Sequence, residues 1–141
     1  KLVRDMDGRI GHERDEAVRR RRLLEAQQRA AELFEAVAER GIIRAGAWDS
    51  EASDAVADLA SELFGVEKHW HKRIVRSGPN TMLAYPENPP DRQIAEDDIV
   101  FGDFVPIFDG WEADFGRTWV LGDDPVKLRL RDDLPEVFAA G

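Results

Sequence analysis

The sequence predicts an α+β fold in which two helices cover a curved antiparallel sheet. Three observations support this prediction. An apolar stripe at helical spacing runs over residues 14–40, and a shorter helical pattern follows over residues 50–64. Two strand-like runs joined by a tight turn near residue 110 come later in the chain. Because the helices precede the strands instead of alternating with them, the pattern indicates segregated layers of helix and sheet.

The helix ends are predicted from their capping residues. Gly41 is expected to terminate the first helix, and Gly65 the second. Asp49 or Ser50 is expected to cap the start of the second helix. Residues 1–12 are polar and punctuated by glycine, which predicts an irregular lead-in, so residues 13–141 are predicted to form one domain.

The strongest local signal is a β-hairpin. Two strand-like runs, 98–107 and 111–120, flank an Asp-Gly dipeptide at 109–110, which is typical of a two-residue hairpin turn. Such a turn pairs Phe108 with Trp111 and sets the register of the two strands. Another short strand is predicted at residues 70–76, before a loop that holds four of the seven prolines.

Two aspartates lie on one face of this hairpin. The register puts Asp103 opposite Gly116 and Val105 opposite Asp114, so the aspartates are diagonal neighbours, roughly 7–8 Å apart at the backbone. Asp103 interrupts an otherwise apolar row, where an unpaired carboxylate would be costly. Arg117 is predicted to point to the opposite face. A shared pair of divalent ions is therefore one interpretation, and a carboxylate held by backbone amides is the other.

Five stretches of the chain resemble the pita-bread metallopeptidase family, which includes methionine aminopeptidase, aminopeptidase P, prolidase and creatinase. The family has a "small-Gly-x-Asn" stretch, a "Tyr-x-Glu-Asn" loop, a first metal Asp and then "Gly-Tyr-x-x-Asp-x-x-Arg-Thr". In the same order this chain has Ser-Gly-Pro-Asn at 77–80, Tyr-Pro-Glu-Asn at 85–88, Gly-Asp at 102–103 and Gly-Trp-Glu-Ala-Asp-Phe-Gly-Arg-Thr at 110–118. Residues 46–51, Gly-Ala-Trp-Asp-Ser-Glu, resemble the family's "Pro-Gly-x-Thr-Glu" helix start.

The resemblance implies half of a pita-bread fold and a hydrolase of the aminopeptidase or Xaa-Pro peptidase type, acting on a small peptide or amide. It implies that Asp103 and Asp114 hold two divalent ions, with Mn, Co, Zn and Fe all open, and that these ions activate a water. His69, His71 and Tyr85 are predicted to contact substrate. The His-x-His spacing is also compatible with metal ligation from a strand.

Three departures from the family keep other functions open. Ala84 stands where aminopeptidase P and prolidase place a substrate-contacting His, and Val105 stands where the family has Gly. The family's remaining ligands, one His and two Glu, would follow after Gly141. We therefore expect the 141 residues to be the first half of a catalytic domain that alone binds metal weakly and hydrolyses nothing. The alternatives are an inactive pita-bread scaffold and a creatinase-like enzyme that is not a peptidase.

Composition restricts the partners. A formal net charge of −9 argues against nucleic acid, because most of the surface would repel a polyanion. The sequence has no run long and apolar enough to suggest a membrane span. The absence of cysteine fits a reducing, cytoplasmic setting. If the aspartate face is uncovered, its apolar residues predict a homo-oligomer or association with a complementary second half-domain.

Overall fold

The structure is a computed structural model that describes residues 10–65, 74–84, 86–87, 89–104, 107–108, 111–112 and 115–140. In chain order, the elements are α1 (Ile10–Glu39), α2 (Asp49–Phe64), β1 (Val75–Ser77), a short 3-10 helix (Gly78–Met82), β2 (Ile99–Phe104), β3 (Ile107–Phe108), β4 (Trp111–Glu112), β5 (Phe115–Val120) and α3 (Pro125–Ala140). The α+β class predicted from the sequence is confirmed.

Helix α1 packs against the rest of the structure through its second half, and the apolar side chains of Val18, Leu23 and Leu24 in its first half are exposed. It starts at Ile10, earlier than the predicted position near Arg14, and ends before Gly41, whose φ of +61° fits the predicted C-cap. Residues 10–14 contain no proline. Their single glycine, Gly11, lowers helix stability by only about 1 kcal/mol, so the helix can extend through them. Among the side chains of α1 whose burial is described, from residue 15 onward, the buried ones recur at helical spacing: Ala26, Ala30, Leu33, Phe34 and Val37.

Helix α2 begins at Asp49, and its N-cap residue is Trp48. The prediction that Asp49 or Ser50 is the cap was therefore wrong. The backbone N–H of Trp48 donates to the carboxylate of Glu51 at 3.2 Å. This is the bond that the third helical residue makes to the N-cap in a capping box. The predicted C-cap is confirmed, since Gly65 has φ +64° and donates to the carbonyl of Ser61. The carboxylate of Asp49 is therefore available for a different use.

Helix α2 also covers the outer edge of β1. The backbone N–H groups of Val75 and Ser77 point away from β2, and both find side-chain acceptors on α2. Val75 N donates to Ser53 Oγ at 2.9 Å, and Ser77 N donates to Asp49 Oδ2 at 3.2 Å. The fit works because residues i and i+4 of a helix are spaced about as far apart as residues i and i+2 of a strand.

In the described residues, β1, β2 and β5 form an antiparallel sheet in that order. Asp103 pairs with Gly116, and Phe108 pairs with Trp111 across β3 and β4, so the predicted register is confirmed at both positions. The predicted pairing of residues 105 and 114 lies outside the described residues, as do residues 70–73 of the predicted first strand. The described part of that strand begins only at Val75.

The two faces of the sheet differ in burial. Val100, Gly102 and Phe104 are buried against the helices, and the Trp119 ring lies over Gly102, where a Cβ would come within 2.8 Å of it. Trp119 also meets the ring of Phe34 edge-on at 5.7 Å. The opposite face, here called the open face, carries residues that alternate with this set: Arg76, Ile99, Phe101, Asp103, Gly116, Thr118 and Val120.

A third helix, α3, lies beside β5. Its extent from Pro125 to Ala140 was not predicted from the sequence. Its start is fixed by Asp124, whose Oδ1 accepts the backbone N–H groups of Val126 and Lys127 at 2.8 and 3.3 Å. Proline at the first helical position fits such a start. Among the residues that the structure describes, no helix combines the length and the apolar composition needed to cross a membrane.

Candidate metal and substrate site

Asp103 lies on the open face, in the central strand β2. It is half-buried near the end of β2, and its backbone N–H donates to the carbonyl of Ile74 at 2.9 Å. Its cross-strand partner is Gly116, and the ring of Phe101 lies 3.1 Å from the position that a Gly116 Cβ would occupy. The ring of Phe101 therefore lies over Gly116, where a larger side chain would have to displace it.

Arg117 lies on the other side of the sheet from Asp103. Its guanidinium carbon is 5.0 Å from the centroid of the Phe34 ring, which is a cation–π geometry against α1. The prediction that Arg117 points away from the aspartate face is confirmed. The two residues are thus placed for separate roles, Arg117 in packing and Asp103 on the open face.

A groove of about 810 Å³ lies between the open face and α3. This volume is within the range of small-molecule sites in proteins. The groove is lined by both apolar and charged residues, which include Phe101, Asp103, Thr118, Arg131, Asp132 and Leu134. Such a lining can contact a ligand that carries both apolar and charged groups.

Four of the predicted site residues, Asp114, His69, His71 and Tyr85, lie outside the described residues. Their roles stay predictions. Within the described ranges, no group of three or more His, Cys, Asp and Glu side chains is arranged to hold a metal. Asp103 by itself fits one ligand position, because a partly buried carboxylate supplies the hard oxygen donor that Mn²⁺-like ions prefer.

A buried polar network, which the sequence analysis did not find, lies at one end of this sheet. Asp49 is fully buried and accepts three hydrogen bonds. Ser77 Oγ donates to its Oδ1 at 2.6 Å, Ser77 N to its Oδ2 at 3.2 Å, and Asn80 Nδ2 to its Oδ2 at 3.5 Å. The first acidic residue of α2 therefore fixes the start and the end of the Ser-Gly-Pro-Asn stretch.

The network continues through Arg92. One guanidinium nitrogen of Arg92 donates to Ser77 Oγ at 3.0 Å and to Asp98 Oδ2 at 2.7 Å. The same carboxylate oxygen of Asp98 accepts the backbone N–H of Ala95 at 2.8 Å. Asp98 directly precedes β2, so the network fixes the strand that carries Asp103. The sequence contained one signal for it, the polar residues of the Ser-Gly-Pro-Asn stretch.

Comparisons with known proteins agree with this architecture. The family model described as "Metallopeptidase family M24" matches residues 21–139. The crystal structure of the prolidase from Pyrococcus horikoshii OT3 is similar over 75% of this chain and 29% of the prolidase, with 25% identity and a TM-score of 0.60. The recombinant prolidase from Thermococcus sibiricus is similar over 78% of this chain and 30% of its own, with 26% identity and a TM-score of 0.58. No curated protein matches the chain. The 141 residues span less than a third of the length of either prolidase.

Proposed function

Because this chain belongs to metallopeptidase family M24, we propose that it contributes the first metal-binding half of a peptidase that cleaves a peptide or a small amide. Both of the structural neighbours described above are prolidases. They support a peptidase-type hydrolase, and they support the pita-bread arrangement of the sheet and its helices.

The observation that carries the proposal is the position of Asp103 on the open face, in register with Gly116. Asp114 precedes Gly116 by two residues, so the register predicted from the sequence would bring the two aspartates to one face, roughly 7–8 Å apart at the backbone. Asp103 and Asp114 are the proposed ligands of two divalent ions. Such ions, when bound, supply Lewis-acid chemistry and lower the pKa of a water. Carboxylate ligands make Mn²⁺ the first ion to test, with Co, Zn and Fe as the others.

The proposed substrate is a short peptide in the groove beside α3. His69, His71 and Tyr85 are proposed to contact it. Ala84, which is exposed, offers no imidazole at the position where prolidase-like proteins place a substrate-contacting His. We therefore expect dipeptides without proline to be cleaved at rates similar to those with proline. The proposed setting is cytoplasmic.

The test combines metal binding with hydrolysis. Calorimetric titration with Mn²⁺ should show binding that Asp103→Asn weakens by more than about tenfold, because loss of a ligand exceeds the usual effect of an outer-shell change. Asp132→Asn is the matched control, since Asp132 is an exposed carboxylate in the same groove. Ala-Ala and Ala-Pro are the probes for hydrolysis by the protein at its natural length. Mn²⁺ binding that survives Asp103→Asn would refute the metal site.

A second candidate function is an inactive pita-bread scaffold, and the exposed open face favours it. Phe101 is 37% exposed in the middle of that face. An uncovered aromatic residue beside apolar neighbours fits contact with a second copy of the chain or with a complementary half-domain. Binding of Mn²⁺ without hydrolysis of either dipeptide by the natural-length protein would select the scaffold over the enzyme.

A further inference from the structure

Arg76 is the cation that β1 places on the open face, and it has no part in the metal site proposed above. It pairs with Phe101, and Asp103 is two residues further along the same partner strand. The two residues are therefore diagonal neighbours, roughly 7–8 Å apart at the backbone. Arg76 is only partly exposed, although a lone arginine on an uncovered face would usually extend into water.

The guanidinium of Arg76 is held by three backbone carbonyls. Nη1 donates to Leu83 O at 2.8 Å and to Ala84 O at 3.3 Å, and Nη2 donates to Glu87 O at 3.0 Å. All three of these acceptors are uncharged. A planar guanidinium can serve three carbonyls that point in different directions, because its donors form a rigid fork. An ammonium group on a flexible stem has no such fixed geometry.

The described residues of the stretch 83–87, here called the 83–87 turn, include two that hydrogen-bond to each other. Glu87 N donates to Ala84 O at 2.9 Å, and Ala84 N donates to Glu87 Oε2 at 2.7 Å. The sequence between these two residues is Tyr85-Pro86. The described residues of the turn are exposed, so buried apolar contacts do little to attach it to the sheet. The three bonds from Arg76 therefore supply most of the described attachment.

We infer that Arg76 is a positioning residue that holds the 83–87 turn as one wall of the substrate site above Asp103. The role rests on the proposed peptidase function. It predicts that the fork of Arg76 matters more than its charge. Arg76→Gln removes both fork and charge, whereas Arg76→Lys keeps the charge and loses the fork. Arg44→Gln is the matched control, because Arg44 is exposed and donates to the carbonyl of Gly41 at 3.3 Å, far from the site in sequence.

All measurements use the protein at its natural length. Hydrogen exchange of the Glu87 amide should accelerate at least about tenfold in both Arg76 variants, because the turn then opens locally more often. Mn²⁺ affinity should stay within about twofold of the wild type, as no proposed ligand is removed. KM for Ala-Ala hydrolysis should rise at least about tenfold in both variants, while kcat changes less than about threefold. Arg44→Gln should match the wild type throughout.

The outcomes separate this inference from the proposed function. Wild-type KM in both Arg76 variants, with a fast-exchanging turn, would show that the turn is not a wall of the site. Wild-type KM in Arg76→Lys alone would show that the charge acts and the fork does not, which also overturns the positioning role. A tenfold loss of Mn²⁺ affinity in the Arg76 variants would show that Arg76 acts on the metal site, which would overturn its role in positioning the turn. A wild-type protein that neither binds Mn²⁺ nor cleaves Ala-Ala would overturn the proposed function and, with it, the substrate-site role, whatever the exchange data show.

Discussion

Replacing Asp49 with alanine should cost a large part of the stability of this unit. The carboxylate is fully buried and accepts from Ser77 N, Ser77 Oγ and Asn80 Nδ2. A buried donor left without an acceptor costs about 1–3 kcal/mol, and three such costs do not add fully because the site relaxes. Removing one partner of a buried charged network typically costs about 3–5 kcal/mol. We expect that loss, against a total stability of roughly 5–15 kcal/mol for a domain.

Urea unfolding followed by tryptophan fluorescence and by far-UV circular dichroism measures this loss. Two variants serve as references. Asp49→Asn keeps one acceptor oxygen and should lose about 1–3 kcal/mol, the cost of leaving one buried donor without an acceptor. Asp54→Ala, an exposed site on the same helix, should change stability by less than about 0.5 kcal/mol. A loss below about 1 kcal/mol in Asp49→Ala would refute the view that this network holds α2, β1 and the 77–80 stretch together.

Two further predictions concern a glycine and an exposed ion pair. Gly78 has φ +52°, and a Cβ there would lie 2.9 Å from Arg92 Cζ, so Gly78→Ala should lose about 2–3 kcal/mol in urea unfolding. Gly65→Ala, with φ +64° and open space, should lose only about 1 kcal/mol, and equal losses would exclude the steric contribution. The pKa of Glu62 is lowered by the side-chain hydrogen bond from Arg40 and then by its charge, so Arg40→Gln should raise that pKa in an NMR titration. The small stabilisation from Glu62 should be complete above the ordinary pKa of a glutamate and be lost as pH falls through the lowered folded value, and an unchanged pKa in Arg40→Gln would contradict this cause.

The register of the hairpin was predictable from sequence because a short turn determines it locally. An Asp-Gly dipeptide at 109–110 allows only a small set of tight turns, and counting outward from it correctly places Asp103 opposite Gly116. Side-chain alternation then puts Arg117 on the helix side without further information. The helix ends at Gly41 and Gly65 were predictable for a similar reason, since a left-handed residue favours glycine.

The parts that could not be predicted depend on distant contacts. Asp49 looks like an ordinary helix cap in the sequence, and its true partner, Ser77, lies 28 residues away. The start of α3 was missed for a different reason. The bonds from the Val126 and Lys127 amides to Asp124, which fix that start, are seen only in the structure. The 83–87 turn is attached by hydrogen bonds from Arg76 in β1, which is 7 to 11 residues away in the sequence. A pattern in neighbouring residues does not show such a bond, so this attachment was not predictable either.

The hydrogen bonds between α2 and β1 block one edge of the sheet to further strands. A strand edge with unpaired N–H groups accepts further strands, and proteins often have to block such edges. Here Ser53 and Asp49 occupy the outward N–H groups of Val75 and Ser77, so no strand can add beside β1 without unpairing them. In the described part of the chain, β5 has a strand neighbour only on its β2 side. Among the described strands, β5 is therefore the edge to which a further strand can be added without breaking these hydrogen bonds, and β5 also carries Gly116, the partner of Asp103.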